Sequence, residues 1–234
     1  MGRIIAISSG DLNSTKPINE YAIKMLKGSS TTKRVLFIGT ASNDAKEYIE
    51  NITRAFAEFG CEVRALELTA KNYVLEEIKE MIVWGDIIYV GGGDTIFMMN
   101  VWRKHGLDNL LKEVYENDSA ILMGISAGAI CWFNCGCTDS ELAELRDGLT
   151  YGWANDMLNI HPYVFCPHYE DRTEDFEVLL QEKEMDGLAM ESDTAFVEDN
   201  GNIYYIKCNM SAKAYVFRWG NGRHERGEVQ LEGC

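Results

Sequence analysis

A chain of 234 residues with 46% hydrophobic and 25% charged content has the size and make-up of one globular α/β domain. Its 22 basic and 37 acidic residues give a net charge of −15, which excludes the basic footprint of a nucleic-acid binder and repels anionic membranes. No apolar run reaches the roughly 18 residues of a membrane span, and the start carries no secretory-signal pattern, so a cytoplasmic protein is expected.

The first two-thirds alternate short apolar runs with amphipathic stretches. Arg3–Ser8, Arg34–Gly39, Glu62–Leu66, Asp86–Val90 and Ala120–Gly124 are rich in aliphatic residues and bounded by turn residues, which predicts buried strands. Asp44–Phe59, Val74–Trp84 and Thr95–His105 carry apolar residues at helical spacing, and the first stops at Gly60. Strand–helix alternation implies right-handed crossovers and a mostly parallel sheet with helices on both faces. After a helix at Thr173–Glu184, short strands follow at Gly187–Met190, Thr194–Glu198, Asn202–Lys207 and Ala214–Trp219. The turn Asp199-Asn200-Gly201 joins two of them. They read as an antiparallel edge on the same sheet, and the polar residues after Gly220 read as a fraying tail. With no repeat or linker, residues 1–234 form a single domain.

The seven cysteines are odd in number and mostly lie in apolar runs, which suits a reducing compartment with thiols as small hydrophobes. Cys131, Cys135 and Cys137 match no zinc spacing, so no metal or other cofactor is expected.

Two turns at strand ends carry the chemistry. In Gly124-Ile125-Ser126-Ala127-Gly128 one or two residues join a strand to a helix at Ala127–Phe133. The turn must be very tight, which strains Ser126 and requires small neighbours. Its Oγ then stands clear of the sheet beside the Ala127 N–H, in the favourable field of a helix N-terminus. The bland alternative is a Ser helix cap. Gly91-Gly92-Gly93 follows another strand and opens another helix. Three glycines are costly to order and suit a close backbone approach, so Gly92 or Gly93 is the candidate second oxyanion donor. Asp94 reads as the cap of the following helix.

A serine nucleophile needs a base. His105 ends a helix before Gly106, His224 lies in the tail and His161 precedes Pro162 in a loop. His168 ends the apolar run Val164–Pro167 and is the preferred candidate over His161. A neutral imidazole in this role wants a carboxylate on its other nitrogen. Glu191, at the end of Gly187–Met190, is the candidate, with Asp193, Glu170 and Asp171 behind it. Glu170 and Asp171 read better as solvated turn residues.

In this order, the GGGDT, GISAGA, CPHYEDR and DGLAMESDTAFVE segments resemble the serine peptidase family of dipeptidase E (aspartyl dipeptidase) and cyanophycinase, from about Arg3 to Lys207. The resemblance implies a three-layer, flavodoxin-like sandwich similar to the class I glutamine amidotransferase domain. It also implies a triad of Ser126, His168 and Glu191 and oxyanion donors at Gly92 and Ala127. Arg172, shortly after the His, would bind a substrate carboxylate. The implied substrates are small peptides with an aspartyl residue at the cleaved bond. Thr95 stands where cyanophycinases have Gln, and the segment Cys137–Asn159, with Tyr151 and Trp153, reads as a lid. The cycle is acyl transfer through an acyl-enzyme. An α/β-hydrolase esterase is disfavoured because the best acid follows the best His in the chain. A glutaminase of the amidotransferase type has Cys at the elbow. A catalytically silent binding domain would not need the Ser, His, Glu and glycines together. A monomer and a homodimer both fit.

Overall fold

The computed structural model of the chain describes residues 2–26 and 32–234. The first half runs β1 (Arg3–Ile7), α1 (Lys16–Lys24), β2 (Lys33–Ile38), a 3-10 turn (Thr40–Ser42), α2 (Lys46–Ala57), β3 (Cys61–Leu66) and α3 (Leu75–Trp84). It continues through β4 (Ile87–Val90), α4 (Thr95–His105), α5 (Leu107–Asn117), β5 (Ile121–Ile125) and the short helix α6 (Ala127–Ile130). The second half comprises β6 (Phe133–Thr138), β7 (Glu144–Leu145), β8 (Gly152–Ala154), β9 (His161–Cys166), α7 (Tyr169–Leu180) and β10 (Gly187–Met190). It ends with β11 (Thr194–Asp199), β12 (Asn202–Lys207), β13 (Ala214–Gly220), β14 (Arg223–Glu228) and β15 (Glu232–Gly233).

The strands form two sheets. The larger has eight strands in the order β15-β12-β11-β1-β5-β4-β2-β3. From β3 to β1 every pairing is parallel, and β11 and β12 add the antiparallel edge. Both faces of its central strands are buried, as the unbroken apolar runs predict. Ile4 and Ala6 of β1 face one core, which α3, α4 and α5 cover, while Ile5 and Ile7 face another, covered by α1 and α2. This is the expected sandwich with a large, mostly parallel sheet.

The last third departs from the single-sheet reading. β10 and β13 leave the first sheet for a second one, of order β14-β13-β10-β9-β6-β8-β7. Pattern cannot separate these cases, because each strand is short and apolar in either sheet. Phe133, Phe165, Leu188 and Met190 turn one face of this sheet onto the α3–α5 core. Cys135, Val164 and Ala189 turn the other face toward Phe176 and Leu179 of α7. The residues read as a polar tail form β14, paired along its length with β13, and β15, paired with β12. Trp153, expected in a lid, is 3% exposed in the core of the second sheet, edge-on to Phe176 at 6.2 Å. The helix after the elbow stops at Ile130, because Phe133 already belongs to β6. Among the described residues, no helix is long and apolar enough to cross a membrane.

Two polar contacts fasten one sheet to the other. His161 opens β9, is 6% exposed, and its Nε2 lies 2.9 Å from Oε2 of Glu198 on β11, off the line of a good hydrogen bond. The Tyr115 hydroxyl on α5 donates to the same carboxylate. Ser8, just past β1 and wholly buried, donates to the Met190 carbonyl at 2.6 Å and accepts from the His168 N–H at 3.0 Å.

Candidate active site

The elbow is built by close backbone contact. A Cβ on Gly124 would stand 2.0 Å from the Gly128 carbonyl oxygen, and a Cβ on Gly128 would stand 2.3 Å from the Val90 carbonyl oxygen. Only glycine at both positions lets the strand, the helix start and β4 meet. Ser126 sits between them at φ 54, ψ −114, a strained backbone for any residue with a side chain. Its N–H is held by the carbonyls of Ile7 and Ser8 at 3.1 and 3.2 Å. No side-chain cap of α6 is made by Ser126, so the helix-cap alternative fails.

The Ser126 Oγ lies 2.9 Å from Nε2 of His168. His168 caps α7 with φ 53, and that helix begins at Tyr169, a turn earlier than the sequence pattern predicts. The left-handed backbone there turns the chain from β9 into the helix and the ring toward the elbow. Burial holds the imidazole below its ordinary pKa, the neighbouring Arg172 lowers it further, and Glu170, Asp139 and Asp171 pull it back up. The ring is therefore neutral near pH 7 and able to accept the serine proton.

The carboxylates are arranged differently from the expectation. Glu191 is not brought onto His168: its Oε2 accepts from the Lys213 N–H at 2.8 Å and its own N–H donates to the Lys213 carbonyl. It closes the β10–β13 end instead. Glu170, read as a solvated turn residue, is the carboxylate that acts most strongly on His168. It accepts from the Ser192 N–H at 3.0 Å and from the Ser192 hydroxyl, which meets the Ser9 hydroxyl at 2.6 Å. Asp193 stands at φ 61 with its N–H on the Ser9 carbonyl, a turn residue rather than an orienter. His161, the lesser candidate base, is the buried inter-sheet residue described above.

Of the predicted oxyanion donors, Ala127 opens α6, where a first-turn N–H has no intrahelical acceptor. Gly92 packs beside the Ser126 Cβ, but its N–H donates to the Tyr48 hydroxyl at 3.2 Å. Gly93 has φ +137, and a Cβ there would lie 2.2 Å from the Ala41 carbonyl oxygen, so the third glycine is fixed by conformation and space alike. Asp94 caps α4, accepting from the Phe97 N–H at 2.8 Å, as expected.

Ser126 and His168 open onto a cavity of about 530 Å³. Arg172 lines it with 5% exposure. Its guanidinium donates to the Cys137 carbonyl at 2.6 Å, stands 3.5 Å from Asp139 and lies 4.7 Å over the Tyr151 ring, while Nε has no partner. Tyr151 of the expected lid thus reaches the cavity wall. Asp94, Asp139, Glu141 and Asp171 also line the cavity, so carboxylates outnumber its one arginine. Sequence reading missed Asp139, Glu141, Tyr48 and Ser8. They come from segments with no motif, brought in by the second sheet or by neighbouring strand ends.

The sequence profile of peptidase family S51 matches residues 4–206. The chain belongs to peptidase family S51. It is 33% identical to the uncharacterized peptidase YgaJ of Bacillus subtilis (strain 168), over 99% of this chain and 97% of that one. It is 28% identical to a peptidase E of Shewanella denitrificans, over 71% of this chain and 67% of the relative. The crystal structure of a peptidase from an acI-B1 Actinobacterium shares the fold at TM-score 0.69 and 17% identity, covering 98% and 95% of the two chains. This S51 member is accordingly a serine-type peptidase, similar to peptidase E.

Proposed function

We propose that this peptidase hydrolyses small peptides by acyl transfer, with Ser126 as nucleophile and His168 as general base and acid. The observation that carries the reading is the 2.9 Å contact between Ser126 Oγ and a His168 ring held neutral, on an elbow with the strained backbone of a nucleophile. Ser126 attacks the peptide carbonyl as His168 takes its proton. The oxyanion is stabilised by the Ala127 N–H and, from the Gly-rich turn, the Gly93 N–H, since the Gly92 N–H is given to Tyr48. His168 then protonates the leaving amine, and water releases the acyl group. The carboxylate partner of His168 is read as Glu170, on the strength of its electrostatic pull on the ring, with Glu191 as the member the family resemblance implies.

The preferred substrates are peptides with an aspartyl residue at the scissile bond, a reading supported by the likeness to peptidase E and by Arg172 in the cavity wall. The four carboxylates that line the same cavity favour a second form of it, a β-aspartyl bond beside a cationic arginyl group, as in the cyanophycinase-like alternative. A panel of Asp-X, β-Asp-Arg, X-Asp and neutral dipeptides separates the two. Ser126→Ala is expected to fold normally and to lower kcat/KM by at least about 10⁴-fold. Turnover unchanged in a well-folded variant would overturn the mechanism.

A further inference from the structure

Five of the seven cysteines are buried: Cys61, Cys131, Cys135, Cys137 and Cys166. The other two meet at the outer edge of the large sheet. β12 and β15 run parallel with Ile206 opposite Glu232 and Lys207 opposite Gly233. One step further, that register sets Cys208 opposite Cys234. The Cys234 N–H donates to the Lys207 carbonyl at 3.1 Å, and the two Sγ atoms lie 3.2 Å apart. Cys208 is half-buried and Cys234 exposed. The register at β6 and β9 sets Cys137 opposite Cys166 in the same manner, but both are 0% exposed and out of reach of an oxidant.

We propose that Cys208 and Cys234 are an oxidation site, a dithiol that closes to a disulfide by exchange with small-molecule disulfides such as oxidised glutathione. The Sγ–Sγ contact, in which either sulfur can donate, holds the Cys208 thiol below its ordinary pKa, and Cys208 is taken as the attacking thiolate. Its sulfur attacks one sulfur of the oxidant, the oxidant's S–S bond breaks, and one small thiolate leaves. Cys234 gives up its proton, its sulfur attacks Cys208 Sγ, and the second small thiolate leaves. Two electrons pass from the protein dithiol to the oxidant, and the two protons end on the released thiols.

Closure has a structural consequence. The segment between the two cysteines contains β13 and β14, which belong to the second sheet, whereas β12 and β15 belong to the first. The disulfide therefore closes a covalent ring that spans both sheets.

The test uses the full 234-residue chain, freed of reductant and treated with oxidised glutathione in mildly alkaline buffer. The expected product is lighter by two hydrogen atoms, with a Cys208–Cys234 link in a non-reducing peptide map. Its Tm is expected to rise by roughly 5–10 °C, as for a closed loop of about 25 residues. Cys208→Ser and Cys234→Ser should each stop at a mixed disulfide on the remaining thiol. A stable glutathione adduct on the wild type without the internal link overturns the proposal. So does a link through any buried cysteine, or an intermolecular dimer. An unchanged Tm in the closed form overturns the inter-sheet ring as a stabilising element.

Discussion

At the scale of the residue, the site is governed by what surrounds His168. Burial and Arg172 hold its pKa down, so the acid limb of kcat/KM is expected below the ordinary imidazole range. The limb rises as the ring loses its proton, and any change that favours the protonated ring moves it to higher pH. Glu170 is such a charge. Glu170→Gln should shift the limb toward acid and lower kcat, because the imidazolium formed in the transition state loses a charge that favours it. Glu191→Gln should leave the limb in place and act on stability through the lost Lys213 contact. A pH–rate profile of both variants decides which carboxylate serves the base. If Glu191→Gln moves the limb and Glu170→Gln does not, the triad of the family resemblance is restored.

The elements explain why the contact of Ser126 with His168 was legible from sequence and the carboxylate proposed for it was not. The elbow is written in adjacent residues: a strand, small neighbours and a helix start fix Ser126 wherever the rest of the chain goes. His168 was readable as the end of an apolar run. The proposed partner of His168 depends on where α7 begins, and β9 turns into it one turn sooner than the periodicity suggests. That places Glu170 and Arg172 in its first turn, beside the site. Glu191 shared the strand-end position but spends its carboxylate on Lys213, just before β13, a contact that appears only once β10 is known to pair with β13 in the second sheet. The elbow also gives an element-scale prediction. Gly128→Ala drives a methyl against the Val90 carbonyl, and the backbone contact leaves nothing flexible to yield. A loss of about 2–4 kcal/mol in urea melts is expected, with activity falling further than stability as Ser126 moves off line.

At the scale of the molecule, the two-sheet arrangement was the feature hidden from sequence. Strand order is a long-range property, and β10 and β13 satisfy the same apolar pattern in either sheet. The seam between the sheets is held in part by Ser8, whose hydroxyl serves both Met190 and His168. Ser8→Ala should cost about 1–3 kcal/mol, because a buried carbonyl and a half-buried N–H lose their partner together. It should also lower kcat more than it raises KM, since the backbone it releases carries His168, the proposed base.

The proposed catalytic pair straddles that seam. Ser126 rides on β5 of the first sheet and His168 follows β9 of the second. On the proposed mechanism, turnover is a vernier on the alignment of two slabs: a slip of an ångström between them parts Ser126 from His168 while leaving each slab folded. On heating, catalytic rate should fail before the circular-dichroism signal of the strands. A compound bonded to Ser126 and resting on His168 would act as a rivet, delaying the melting of both sheets at once.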